Sequence, residues 1–150
     1  MVVNLPMFIG EFLYRVDEKG RVPIPPKFRT DELKKEGLVL CPTADKCIAI
    51  YPMSVWNKLA ESLSSGPLVN SKMRKLSRAL FATSFTVEMD VQGRINLPVQ
   101  LRQFANLGEE VVVTGVNTFM ELWNAPQWQL EKTSSLEESW HTIETMESHQ

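Results

Sequence analysis

The hydrophobic and polar positions of this chain divide it into short β-prone runs and stretches with helical spacing. Phe12 to Val16 and Arg21 to Ile24 are brief strand-like segments separated by Asp17-Glu18-Lys19-Gly20. Phe85 to Met89 and Arg94 to Leu97 flank Asp90-Val91-Gln92-Gly93 in the same way. Aspartate first and glycine fourth suit a type I turn followed by a left-handed glycine, so each pair of segments is predicted to form a β-hairpin. Pro25 and Pro98 then suit the first turn of a helix, carried on by Lys27 to Glu36 and by Val99 to Leu107. Two more strands follow each helix: Leu38 to Cys41 with Ile48 to Tyr51, and Val111 to Thr114 with Met120 to Trp123. Ser54 is placed to cap a helix from Val55 to Leu63, and Asn124 one from Ala125 to Leu130.

The two series are copies. At a constant offset of 73 residues Phe12 meets Phe85, Asp17 meets Asp90, Gly20 meets Gly93, Arg21 meets Arg94, Pro25 meets Pro98 and Arg29 meets Arg102. Dropping one residue in a later loop aligns Tyr51 with Trp123 and Trp56 with Trp128. An internal period of this length is settled before any fold is proposed. Each half is near the lower size limit for a self-sufficient core, which predicts that the halves share one. Between them Ser65-Gly66-Pro67 breaks the chain before a helix at Lys72 to Ala82, where Met73, Leu76, Leu80 and Phe81 recur at helical spacing among basic residues. Beyond Lys132 a Ser- and Glu-rich tail with a thin apolar stripe, Leu136, Trp140 and Ile143, suits either disorder or a loosely docked helix.

Charge changes the picture once it is divided by position. The net charge is −2, but Glu121 to Gln150 carries one lysine against six glutamates. Arg15 to Lys35 holds seven basic and four acidic side chains, and Lys72 to Arg102 six basic and two acidic. Such local concentration is what phosphate binding uses; on charge alone, two solvated faces are the favoured reading. No apolar run approaches the ~18 residues of a membrane span, and Met1 to Gly10 lacks the features of a signal peptide. A cytoplasmic protein without a membrane partner is expected. Cys41 and Cys47 read as packed, reduced strand-end residues with no metal partners, and His141 and His149 lie in the tail. No nucleophile–base pair is evident, so neither an enzyme nor a cofactor is expected.

Turn geometry accounts for Asp17, Gly20, Asp90 and Gly93, but not for Arg21 and Arg94. A guanidinium is a rigid fork of donors that matches phosphate or the O6/N7 edge of guanine, and a β-ribbon is slim enough for the major groove. A simple Asp–Arg salt bridge is the plain alternative; two symmetric copies, with Arg15, Lys19, Lys27 and Arg29 nearby, favour DNA contact.

Arg15 to Pro25 resembles the signature of the AbrB/SpoVT swapped-hairpin DNA-binding domains, and two Asp-x-x-x-Arg motifs in a chain of this length resemble the MraZ family. Met7-Phe8-Ile9-Gly10-Glu11 and Glu121-Leu122-Trp123 fit as well, so that the resemblance covers roughly Met7 to Trp128. Six residues precede Met7, which leaves Met1 and Met7 as candidate first residues, and Pro23 inside a strand implies an edge position. The resemblance implies a mixed α+β fold in which two swapped-hairpin repeats form one pseudo-two-fold β-barrel core with flanking helices. The expected division is a first repeat at 7–56, connecting helices at 57–79, a second repeat at 80–128 and an acidic tail at 129–150. It further implies a nucleoid-associated, ring-shaped homo-oligomer that binds double-stranded DNA at short G-rich direct repeats. The expected role is that of a transcriptional regulator, read as a repressor, of its own division and cell-wall operon. Asp17, Arg21, Asp90 and Arg94 are the implied DNA-binding residues. The rival of a different class is an antitoxin-like protein-interaction module whose tail engages a partner.

Overall fold

The computed structural model describes residues 7–64 and 70–148; the Ser65-Gly66-Pro67 break, the residues before Met7 and His149 lie outside them. Among the described residues eight strands form, β1 (Glu11–Arg15), β2 (Arg21–Pro23), β3 (Leu38–Pro42), β4 (Ile48–Pro52), β5 (Phe85–Val87), β6 (Arg94–Asn96), β7 (Glu110–Val116) and β8 (Phe119–Asn124). The helices are α1 (Asp31–Glu36), α2 (Met53–Ser64), α3 (Ser71–Ser77), α4 (Val99–Phe104) and α5 (Ala125–Glu147). Six strands make one antiparallel sheet in the order β1-β7-β8-β4-β3-β5, and β2 pairs with β6 in a separate ribbon.

The predicted hairpins do not form as such. β1 pairs with β7 and β5 with β3, each the third strand of the other half, while β2 and β6 pair with one another. The Asp17 turn does close, with Gly20 N–H on Asp17 O at 3.0 Å and Asp17 N–H on Arg21 O at 2.9 Å, but the strands it joins then part. By exchanging strands, two half-chains too small for separate cores build one. The sheet is open, with β1 and β5 as its unpaired ends, rather than closed into the expected barrel.

The shared core lies between the ribbon and one face of the sheet. Val22 and Ile24 from the first half and Ile95 and Leu97 from the second cluster with Leu40, Ile50, Val113 and Leu122 of the sheet. Burial of such side chains contributes roughly 1.5–3 kcal/mol each. On the sheet's other face Val39, Cys41, Ala49, Val112 and Trp123 are buried, and α2 and α5 pack there. The copy extends to ring geometry: Tyr51–Trp56 and Trp123–Trp128 both have centroids 5.7 Å apart, at 51° and 50°. Cys41 and Cys47 are buried and form no disulfide, and burial pushes the Cys47 thiol up to about 12, which makes it an inert strand-end residue.

Local capping explains the helices that differ from expectation. The helix expected over Lys27 to Glu36 splits into a 3-10 turn at Pro26–Phe28 and α1. Thr30 caps α1 by accepting the Leu33 N–H at 3.1 Å, with Asp31 and Glu32 in its first turn and Lys34 and Lys35 in its last, matching the helix dipole. α2 begins at Met53, so Ser54 is no cap; its hydroxyl donates to Glu36 Oε1 at 3.2 Å. The expected helix at Lys72 to Ala82 ends in a π turn, Arg78–Ala82, where the hydroxyls of Thr83 and Ser84 bond to the Ala79 and Leu80 carbonyls. Asn124 caps α5 as expected, through the Gln127 N–H at 3.1 Å. That helix runs on through the acidic tail to Glu147, leaving Leu136, Trp140, Ile143 and Met146 exposed. Among the described residues no helix is long and apolar enough to cross a membrane.

Candidate nucleic-acid interface

The ribbon of β2 and β6 has two faces, because side chains alternate along a strand. Val22 and Ile95 point into the core, fully buried. Their neighbours Arg21, Pro23, Arg94 and Asn96 therefore share the outer face, with Arg21 opposite Asn96 and Pro23 opposite Arg94. Pro23 is tolerated because a two-stranded ribbon consists of edges.

Each arginine is oriented by the aspartate four residues before it, and the two units match atom for atom. Asp17 Oδ1 accepts the N–H groups of Lys19 (3.0 Å) and Arg21 (2.8 Å), while Oδ2 accepts Arg21 Nε at 2.8 Å. Asp90 Oδ1 accepts those of Gln92 and Arg94, both at 2.9 Å, and Oδ2 accepts Arg94 Nε at 2.9 Å. Because the contact uses Nε, it fixes the guanidinium at its inner edge and leaves the two Nη groups outside that bond. The four side chains are 26–36% exposed, enough to meet a ligand. The two units also touch: Arg94 Nη1 lies 4.0 Å from Asp17 Oδ2.

A second pair of arginines sets how the two turns sit against one another. Arg29 Nε donates to Ile24 O at 2.6 Å, and Arg102 Nε to Leu97 O at 3.2 Å. The Arg29 side chain lies over Gly93 and that of Arg102 over Gly20, each across the boundary between halves; a Cβ on Gly93 would come within 2.4 Å of Arg29 Nε. These glycines also have φ of +79° and +80°, where a side chain is strained. The ribbon is completed by Ile24 N–H on Gly93 O at 2.9 Å and Leu97 N–H on Gly20 O at 2.8 Å. Arg102 was not among the residues singled out from sequence, although the offset of 73 already pairs it with Arg29.

The remaining sequence candidates divide. Lys19 sits exposed on the first turn, and Lys27 is exposed on the 3-10 turn beyond it. Arg15 is held by carboxylates, 3.1 Å from Glu109 and 3.6 Å from Glu110, which offset its charge.

The Arg21 backbone N–H, then the Arg21 side chain, hold the Asp17 carboxyl below the usual carboxylate value. The Arg94 N–H and side chain do the same for Asp90. A carboxylate whose folded-state pKa is depressed contributes stability that is present above the unfolded value, about 4, and is lost as pH falls through the lower folded value. The melting temperature of the protein should therefore fall below about pH 4. A double Asp17→Asn, Asp90→Asn variant should show a shallower decline over that range, since two of the carboxylates responsible are gone. Identical acid profiles for the two proteins would show that these carboxylates are not coupled to folding.

What fold and site together define is a two-repeat mixed α/β protein with duplicated Asp–Arg turns on one exposed ribbon. A family model described as "MraZ protein, putative antitoxin-like" matches the chain twice, over residues 7–79 and 80–147. A protein of Dehalococcoides mccartyi named "Transcriptional regulator MraZ" is 51% identical over 144 residues, 95% of this chain and all of the relative. Its counterpart from a second strain of that species is 49% identical over the same length, and one from Herpetosiphon aurantiacus 45% identical over 82% of this chain and 85% of the relative. The chain belongs to the MraZ family.

Proposed function

We propose that this chain is a sequence-specific DNA-binding transcriptional regulator, a repressor of its own division and cell-wall operon. It acts as a ring-shaped homo-oligomer at the nucleoid and carries no catalytic role. Its repeats at 7–56 and 80–128 each contribute one Asp-x-x-x-Arg turn, with connecting helices at 57–79 and an acidic tail at 129–150. The observation that carries the reading is the duplicated geometry. Two guanidiniums, each fixed at Nε by its own aspartate, stand on one face of a ribbon. A β-ribbon fits the major groove, and a bidentate arginine is the commonest specific contact to guanine. Short G-rich direct repeats upstream of the operon are the proposed target. The names of the relatives, transcriptional regulators over nearly the whole chain, support the same reading.

Arg29 and Arg102, with Lys19 and Lys27, flank the ribbon as phosphate contacts, which position a protein on DNA without reading sequence. Footprinting the purified protein on its own upstream DNA should show protection over several short direct repeats. Uniform binding to unrelated duplex of equal length would contradict the reading. A second reading, an antitoxin-like module that engages a protein partner, draws on the exposed apolar row Leu136, Trp140, Ile143 and Met146 of α5. Under it the footprint would be absent.

A further inference from the structure

The ribbon's outer face departs from the symmetry of everything around it. The repeat equates Arg21 with Arg94 and Pro23 with Asn96. Across the ribbon Arg21 therefore faces an amide, Asn96, while Arg94 faces a proline ring, Pro23. Asn96 is exposed, and among the described residues its side chain makes no hydrogen bond. Neither turn chemistry nor packing calls for it there: the Asp90 turn is closed by Asp90 and Gly93, the core is reached by Ile95, and asparagine is disfavoured in strands.

We propose that Asn96 is a specificity-determining residue that reads a base next to the guanine met by Arg21, with adenine as the preferred base. The inference rests on the DNA-binding reading above and deepens it. An asparagine amide pairs one donor and one acceptor, the complement of adenine N7 and N6 in the major groove. Residues directly opposite in an antiparallel pair have Cβ atoms about 4.5–5.5 Å apart, and successive bases on a strand rise about 3.4 Å. Arg21 and Asn96 therefore reach neighbouring base pairs. At the other end of the ribbon Pro23 has no side-chain donor or acceptor, so Arg94 reads its guanine alone. A two-fold protein would call for a palindromic box. The Asn96/Pro23 difference gives the box a direction instead, which suits an array of direct repeats.

The test uses the footprinted box with 7-deazaguanine or 7-deazaadenine placed at one purine at a time, which removes the N7 acceptor and keeps the base pairing. The wild type should lose roughly tenfold in affinity at guanines met by Arg21 and Arg94 and at one adjacent adenine. Asn96→Ala should melt with the wild type, keep both guanine effects, and be indifferent to 7-deazaadenine at that adenine. If the guanines matter but no adenine does, or if Asn96→Ala keeps the adenine effect, Asn96 does not read a base although the arginines do. Equal weakening of Asn96→Ala on boxes and on unrelated duplex would likewise overturn the proposal. If no purine matters to the wild type, base reading by the ribbon fails as a whole and Asn96 with it.

Discussion

Inserting ~5 bp between two neighbouring boxes should weaken binding by about 10²-fold or more, and inserting ~10 bp should restore much of it. The reason is the small size of the reading surface. A three-rung ribbon with two arginine forks covers few base pairs, and each fork is worth only ~1–3 kcal/mol of discrimination. Useful affinity must then come from several chains of one ring meeting several boxes at once, where linkage raises avidity by ~10²–10⁴ when the geometry permits. Half a helical turn points the second box away from the ring; a whole turn brings it back. Mobility shifts on arrays of one to four boxes, with and without the insertions, measure this. Equal affinity for one box and several, or indifference to the insertions, would leave a single-site binder.

Removing both forks should be comparably severe. Arg21→Ala with Arg94→Ala should lose about 2–6 kcal/mol of discrimination between box and unrelated DNA if the two contacts add, with little change in melting temperature. Stability is spared for a geometric reason. Each aspartate keeps the two backbone N–H bonds that define its turn, from Lys19 and Arg21 or from Gln92 and Arg94, whatever side chain follows. What the double substitution deletes is two partly exposed, solvent-screened ion pairs, of a kind that adds little to stability. Isothermal titration with thermal melts on the same samples separates the alternatives. Variants that melt lower yet keep the discrimination would make the Asp–Arg pairs braces of the turn.

The constellation was readable from sequence because its parts lie within five residues. Asp17, Gly20 and Arg21 are joined by local bonds, and the second copy at Asp90 made the pattern hard to attribute to a turn alone. Strands β3, β4, β7 and β8 followed from their apolar runs to within a few residues. The pairing of strands did not, because periodicity states which face of a strand is buried and says nothing of which strand lies beside it. A hairpin was the natural reading of two short segments around a tight turn. It fails here since Phe12 and Tyr14 pack by pairing β1 with β7, in the other half. The same limit hid the roles of Arg29 and Arg102: the positive φ of Gly20 and Gly93 is a local property, whereas the guanidiniums that lie over them arrive from the opposite repeat. Helix starts were misplaced where two caps compete, as Thr30 shows by cutting a ten-residue expectation into two pieces. The extent of α5 had no strong signal because most of it packs on nothing among the described residues.

The central claim, that paired arginine forks read bases rather than supply charge, is tested most directly by changing the fork and keeping the charge. Lysine at both positions preserves each positive charge but replaces a planar fork with a point donor. The measurement is the ratio of affinities of the Arg21→Lys, Arg94→Lys protein for its own box array and for an unrelated duplex of equal length and salt. The account predicts that affinity for unrelated DNA and its salt dependence stay at wild-type values while the ratio falls towards one. A ratio equal to that of the wild type would contradict it.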